Sequence, residues 1–262
     1  MSTPLIEVAD LAMRFPARGR DDGHLALNGA TMTLAPGELV VVLGANGCGK
    51  STMLRCIAGM LRPTGGEVRV EGQAISGLSG RTLTEARMAL GMIFQSAHLV
   101  KRRSVVANVL AGTLGRHRSL GIALGKLPHQ ETPHAMACLD EVGLAHFAPQ
   151  RAGTLSGGQA QRVSVARALA QRPRALLADE PVASLDPDAA EELMTLLRRV
   201  AHQDGLGVLC VLHQPELARR FADRILGMQA GRIIFNHEPR HVRDNEVSAL
   251  YVKRDASQRL AA

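Results

Sequence analysis

Gly44-Ala45-Asn46-Gly47-Cys48-Gly49-Lys50-Ser51 reads G-x-x-x-x-G-K-S and lies between an apolar run, Leu39 to Leu43, and a helix-like run, Ser51 to Ala58. Strand, glycine-rich loop and helix in that order are the context of a phosphate-binding loop. Glycine lets the backbone wrap closely around an anion where a Cβ would block the approach. The loop N–H groups then converge with the positive end of the following helix. Gly44, Asn46, Gly47, Cys48, Gly49, Lys50, Ser51 and the adjoining Thr52 are therefore candidates to surround a nucleotide's phosphates. Lys50 has the reach for the β- and γ-phosphates, and the Ser51 hydroxyl suits Mg²⁺.

Around this loop the chain has 262 residues, 46% of them hydrophobic, with no Trp and one Tyr. That length supports a large core built from Leu, Val, Ala and Met, an α/β-type composition. No run of apolar residues is long enough to span a membrane. The start, Met1-Ser2-Thr3-Pro4, lacks the charged and apolar regions of a signal peptide, so a cytosolic protein is expected. Cys48, Cys56, Cys138 and Cys210 show no CxxC spacing and suggest neither zinc nor a disulfide framework. The formal charge of +7 is spread out, its longest basic block being Lys101-Arg102-Arg103. With so few aromatics to stack on bases, a membrane-surface neighbour is preferred and no nucleic-acid partner is expected.

Outward from the loop, strands alternate with helices. Leu5 to Val8 reads as a first strand, Pro16 to His24 as a turn, and Leu25 to Leu34 as an apolar return. Glu67 to Glu71 alternates like a half-exposed strand, Leu83 to Leu90 reads as helix, and Met92 to Phe94 as a short buried strand ending at Gln95. From Ser96 to about Thr154 no strand pattern occurs. Val105 to Leu114 and Pro133 to Val142 have helical spacing, with a basic, glycine-broken stretch, Gly115 to Thr132, between them. This block reads as a helical insertion. The α/β pattern resumes with a helix, Ala160 to Ala170, an apolar strand, Ala175 to Ala178, an amphipathic helix, Pro187 to Val200, and a buried strand, Val208 to Leu212. Ile225 to Met228 and Ile233 to Phe235 add short strands, and a weak helix spans Glu246 to Val252 in a polar tail. Such alternation predicts a largely parallel sheet.

Ligands of open parallel sheets bind at the carboxyl ends of strands. Gly44, Asp179-Glu180 and His213 all follow predicted strands. Asp179 is in the context of a metal-organising carboxylate, and Glu180 is a candidate base or orienting group for water. His213 is a candidate to bond the γ-phosphate and hold that water; Gln95 could reach Mg²⁺ or the water. Phe15 packs a core or stacks on adenine. Leu155-Ser156-Gly157-Gly158-Gln159 opens a helix and forms a second anion cradle. Two cradles for one nucleotide predict a dimer in which each chain closes the other's site.

In order and spacing these residues resemble the ATP-binding cassette subunit of ABC transporters, over nearly the whole chain. The resemblance assigns Gly44 to Ser51 as Walker A, Gln95 as the Q-loop, Leu155 to Gln159 as the signature, and Ala175 to Asp179 with Glu180 as Walker B and catalytic glutamate. Ser184-Leu185-Asp186 is the D-loop and His213 the H-loop. It implies an α/β fold: a P-loop NTPase core with a mostly parallel sheet, an antiparallel β subdomain and an inserted α-helical subdomain. One cassette domain, 1–262, is expected, with core 1–95 and 160–236, helical subdomain 96–159, and tail 237–262. ATP and Mg²⁺ are implied, sandwiched in a head-to-tail homodimer. Ser51, Gln95 and Asp179 are the implied metal residues; Glu180, His213, Lys50 and Gln95 the catalytic ones. Phe15 and Asp186, with Ser156, Gly157, Gly158 and Gln159 from the signature, join the ATP-binding set. Phe15 falls where the family places an aromatic, usually Tyr, on adenine.

Met92 to Gly112, Ala178 to Pro187 and Val211 to Met228 further resemble the ATPase of phosphonate importers. The implied partners are transmembrane permease subunits, received by Ser96 to Val105, and, indirectly, a periplasmic binding protein. The implied place is the cytoplasmic face of the inner membrane. Phosphite, phosphate or another small solute is the alternative cargo, and a non-transport cassette acting on DNA or ribosomes, or a P-loop kinase, the alternative class. Cys48 stands where the family often has Ser. A helix start and Lys50 nearby favour a reactive thiolate there, against the plainer reading of a small residue that fits.

Overall fold

The structure is a computed structural model that describes residues 3–17, 20–117 and 127–252. Its centre is β3 (Leu39–Leu43), an all-apolar strand buried on both faces. Continuous apolar runs of this kind suit a parallel sheet covered on both sides. The six-stranded sheet has the order β10-β9-β3-β8-β7-β6. Here β6 is Leu90–Ile93, β7 Ala175–Asp179, β8 Gly207–Val211, β9 Arg224–Gln229 and β10 Arg232–His237. All run parallel except β10, which closes one edge antiparallel to β9. A second, antiparallel sheet has the order β2-β1-β4-β5, from β1 (Ile6–Ala17), β2 (Arg20–Leu34), β4 (Gly65–Val70) and β5 (Gln73–Ala74). The expected α/β cassette architecture is the one observed.

Helices cover the parallel sheet: α1 (Lys50–Ile57), α2 (Gly80–Arg87), α3 (Val105–Leu110), α4 (Thr132–Glu141), α5 (Gly157–Ala170), α6 (Pro187–Asp204), α7 (Pro215–Phe221) and α8 (Asp244–Tyr251). Local chemistry sets their ends. Asp186 caps α6 by accepting from the Ala189 amide at 2.9 Å, Pro187 fills its first turn, and Gly205 ends it at φ 70°. Ser156 and Gln159 form a reciprocal capping box at the start of α5. Leu193, Leu196, Leu197 and Val200 of α6 are buried, as their spacing predicts.

Several elements differ from the sequence reading. The expected turn from Pro16 to His24 is the end of a long hairpin. Ala17 pairs with Arg20 and Phe15 with His24, while residues 18–19 lie outside the described set. A polar hairpin arm gives no apolar alternation, so its strands were hidden. The helix expected at Leu83 to Leu90 starts earlier, at Gly80, and Leu90 already belongs to β6. The helix expected from Val105 to Leu114 tightens into a 3₁₀ turn at Ala111–Arg116. Gly112 packs there directly on α5: a Cβ would overlap the Arg167 carbonyl. Of the basic stretch Gly115 to Thr132, residues 118–126 lie outside the described set, as do 253–262 of the tail. Helix α7 was not anticipated, because its short polar sequence buries only Ala218 and Phe221.

Candidate active site

The parallel order brings three strand ends together. β8 lies between β3 and β7, so the loop after β3, Asp179 at the end of β7 and His213 just after β8 share one rim. Gly44 is required by close packing: a Cβ would press on the Met228 carbonyl and sit 2.7 Å from Cys48 Sγ. Gly49 has φ 114°, and its Cβ would strike the Ala26 carbonyl. Lys50 is 4% exposed. Its Nζ donates to the Gly44 carbonyl at 2.8 Å and to the Ala45 carbonyl at 3.0 Å. A buried ammonium held only by carbonyls and a thiol 4.0 Å away suits an anion.

Across β8, Ser51 Oγ donates to Asp179 Oδ1 at 2.8 Å. Glu180 follows with φ 52°, a left-handed conformation that is uncommon for a residue with a side chain and is often kept at functional sites. Its Oε1 lies 2.6 Å from His213 Nε2. A cleft of about 210 Å³ connects these groups to the hairpin. Phe15, His24, Ala26, Asn46, Gly47, Gly49, Lys50, Ser51, Thr52 and Glu180 line it. Phe15 and His24 are cross-strand partners, so both project from neighbouring places on the antiparallel sheet.

The remaining candidates stand apart from this cleft. Gln95 follows β6, two strands from β8, and is exposed. Ser156 and Gly157 are exposed at the start of α5; Gly157 adjoins Leu185, and Gly158 lies against Ala189. Asp186 is the exposed cap of α6. The signature segment and the start of α6 therefore lie side by side, and neither Ser156 to Gln159 nor Asp186 lines the cleft at their own chain's phosphate loop. Cys48 departs from the thiolate reading. It is buried beneath the loop, and burial pushes its thiol above the ordinary value even though Lys50 opposes the rise.

For a magnesium ion, the paired Ser51 hydroxyl and Asp179 carboxylate are hard oxygen donors in the right place. Among the described residues no cluster of three or more His, Cys, Asp or Glu forms a metal cage. Mg²⁺ commonly uses one or two protein oxygens with phosphates and water, so this pair fits it.

A second, larger cleft of about 480 Å³ opens where β6, α1 and α5 meet. Phe94, His98, Met60, Met92, Arg167 and Gly112 are among its walls. Arg167 donates to the Ala97 and His98 carbonyls at 2.8 and 2.9 Å, and Phe94 meets His98 edge-on. Asn108, which the sequence reading passed over, fixes the following turn. It accepts from the Val100 amide at 2.7 Å and donates to the Val100 and Ser104 carbonyls at 3.2 and 2.9 Å. Val100 is thereby presented 56% exposed, whereas Leu99 packs on the core. His24 and the tail residue Tyr251 were also missed. Neither belongs to a motif, and a hairpin partner or a tail contact has no local sequence signal.

The fold and rim geometry are those of a P-loop ATPase cassette. The chain belongs to the ABC transporter family, whose model matches residues 27–183. It is 44% identical over 246 residues to the phosphonates import ATP-binding protein PhnC of Thiobacillus denitrificans, covering 94% of this chain and 92% of that protein. It is 47% identical over 226 residues to the protein of that name from Frankia casuarinae, covering 86% and 89%. Among solved structures, the dimeric post-hydrolysis cassette MJ0796 bound to ADP and Pi matches with TM-score 0.78 and 30% identity, over 90% of this chain and 100% of that one. As a member of this family the chain is an ATPase.

Proposed function

We propose that this chain is the ATP-hydrolysing subunit of an importer for phosphonate or a related phosphorus oxyanion. The rim geometry carries the ATPase half: Glu180 and His213 paired at 2.6 Å beside the Lys50 loop. The cargo half is supported by the names of relatives that are 44% and 47% identical.

Loop amides and Lys50 bind the phosphates and offset charge that develops on the γ-phosphoryl group. Phe15 stacks on adenine, with Thr52, Asn46 and His24 around the nucleotide. Ser51 and Asp179 would hold Mg²⁺, which supplies further neutralisation of phosphate charge when bound. Glu180 accepts the proton of the attacking water, and His213 holds that carboxylate and faces the γ-phosphate. Gln95 follows β6 and contributes from the rim.

The Ser156 to Gln159 segment, which does not line its own chain's cleft, completes the site of a second copy head to tail, with Asp186 beside it. The solved dimeric cassette supports this arrangement. The cleft beside Phe94 and His98, with Ser96 to Val105 at its edge, receives a transmembrane permease subunit. A periplasmic binding protein acts on the far side. Among the described residues no helix is long and apolar enough to cross a membrane, in keeping with a peripheral subunit at the cytoplasmic face.

The test is reconstitution with a candidate permease and binding protein from the same organism. ATP-driven uptake of labelled methylphosphonate, competed by phosphonates more strongly than by phosphite or phosphate, supports the cargo. Preferential uptake of phosphate or phosphite would replace it.

A further inference from the structure

The C-terminal helix α8 is fastened to the catalytic core along its whole inner side. Val247 and Leu250 are buried in the core cluster that also holds Leu39, Val41 and Phe221. Arg219 of α7 donates to the Val242 carbonyl and pairs with Asp244. Gln229, the last residue of β9, donates to the Ala249 carbonyl at 2.8 Å. His237 and Glu246 are 3.4 Å apart. A helix held at this many points places its last residue with little freedom.

That residue is Tyr251, the chain's one tyrosine. Its hydroxyl donates to the backbone carbonyl of His213 at 3.3 Å. Burial raises the phenol above its ordinary pKa, so the hydroxyl stays a donor at neutral pH. His213 is thus gripped at two ends. Its carbonyl meets Tyr251, and its imidazole meets Glu180 at 2.6 Å.

We propose that Tyr251 is a positioning residue for ATP hydrolysis: its hydroxyl holds the His213 carbonyl from the end of α8 and so sets the imidazole against Glu180. This rests on the reading of His213 as Glu180's partner in hydrolysis. The tail then acts as a brace at the end of β8, and any force that lifts α8 slows turnover without emptying the nucleotide site.

The experiment compares steady-state ATPase of the full chain as wild type, Tyr251→Phe, Tyr251→Ala, His213→Ala and His213→Ala with Tyr251→Phe. Tyr251→Phe keeps the ring and its packing and removes only the bridge. Its kcat should fall about threefold to tenfold, the range one hydrogen bond supplies, with KM for ATP within about twofold of wild type. In the His213→Ala background Tyr251→Phe should add no further loss, because the two act through one another. If His213→Ala turns over like wild type, the catalytic reading of His213 fails and the brace with it. If His213→Ala is impaired while Tyr251→Phe matches wild type, the brace alone is overturned. A loss confined to Tyr251→Ala and tracking a lowered Tm would likewise overturn it in favour of packing.

Discussion

Glu180 shows how much chemistry one residue draws from its surroundings. A glutamate after an apolar strand is ordinary in sequence. Here it has a left-handed φ of 52° and an imidazole 2.6 Å away at the mouth of a phosphate loop. Glu180→Gln keeps the size and the hydrogen bonding but removes the proton acceptor. Turnover should fall by at least about a hundredfold, the low end for a positioned base, while binding of a fluorescent ATP analogue is kept. A rate near wild type would remove Glu180 from the base role. Gly49 makes the opposite point, since its contribution is having no side chain. Gly49→Ala should weaken nucleotide binding more than about tenfold, because the new Cβ meets the Ala26 carbonyl at a φ of 114°; calorimetric titration with ATP checks this. Cys48 was legible as a loop residue but not as a buried one, so thiol reagents should label it slowly in the folded chain.

Elements carry two further expectations. The turn from Val100 to Ser104 has no regular secondary structure and is held by Asn108, which is buried and bonded to both ends of it. Asn108→Ala leaves those backbone groups short of partners. It should cost about 1–3 kcal/mol in urea denaturation and reduce coupling of ATPase to uptake. Val100→Glu, on an exposed position, should reduce coupling without loss of stability. Leu99→Glu would confuse the two effects, because Leu99 packs on the core.

Helices α4 and α6 meet at Glu141, whose pKa is raised from 4.5 to about 7, chiefly by burial and then by the neighbouring Asp204 carboxyl. A carboxyl with a raised folded pKa retains its proton longer when folded. Its contribution to stability is therefore full below 4.5 and is lost as pH rises toward 7. Glu141→Gln should flatten the Tm-against-pH curve across that window and raise Tm above it. An unchanged slope would assign the pH dependence to other groups.

For the whole molecule, the central question is what completes the site, since the signature segment does not line the cleft of its own phosphate loop. A composite site between two copies answers it, and two measurements follow. Specific ATPase activity should rise with protein concentration. Mixing Lys50→Ala with Gly158→Asp, each inactive alone, should restore activity, because one of the two shared sites then has an intact loop and an intact signature. No recovery in the mixture would mean that each chain completes its own site.

The sequence by itself determined the phosphate loop, the strand-ending Asp179-Glu180 and His213, and the family. Glycine spacing, apolar runs and caps are local signals, and local signals survive in a linear string. Only the tertiary structure decided that Ser51 reaches Asp179 from 128 positions away, that Glu180 and His213 touch, and that Phe15 faces His24. It also set Tyr251 against the carbonyl of His213 and buried Cys48. These depend on strand order and hairpin register, which follow from how two sheets and their helices bury their apolar faces together. No short stretch of residues contains that balance.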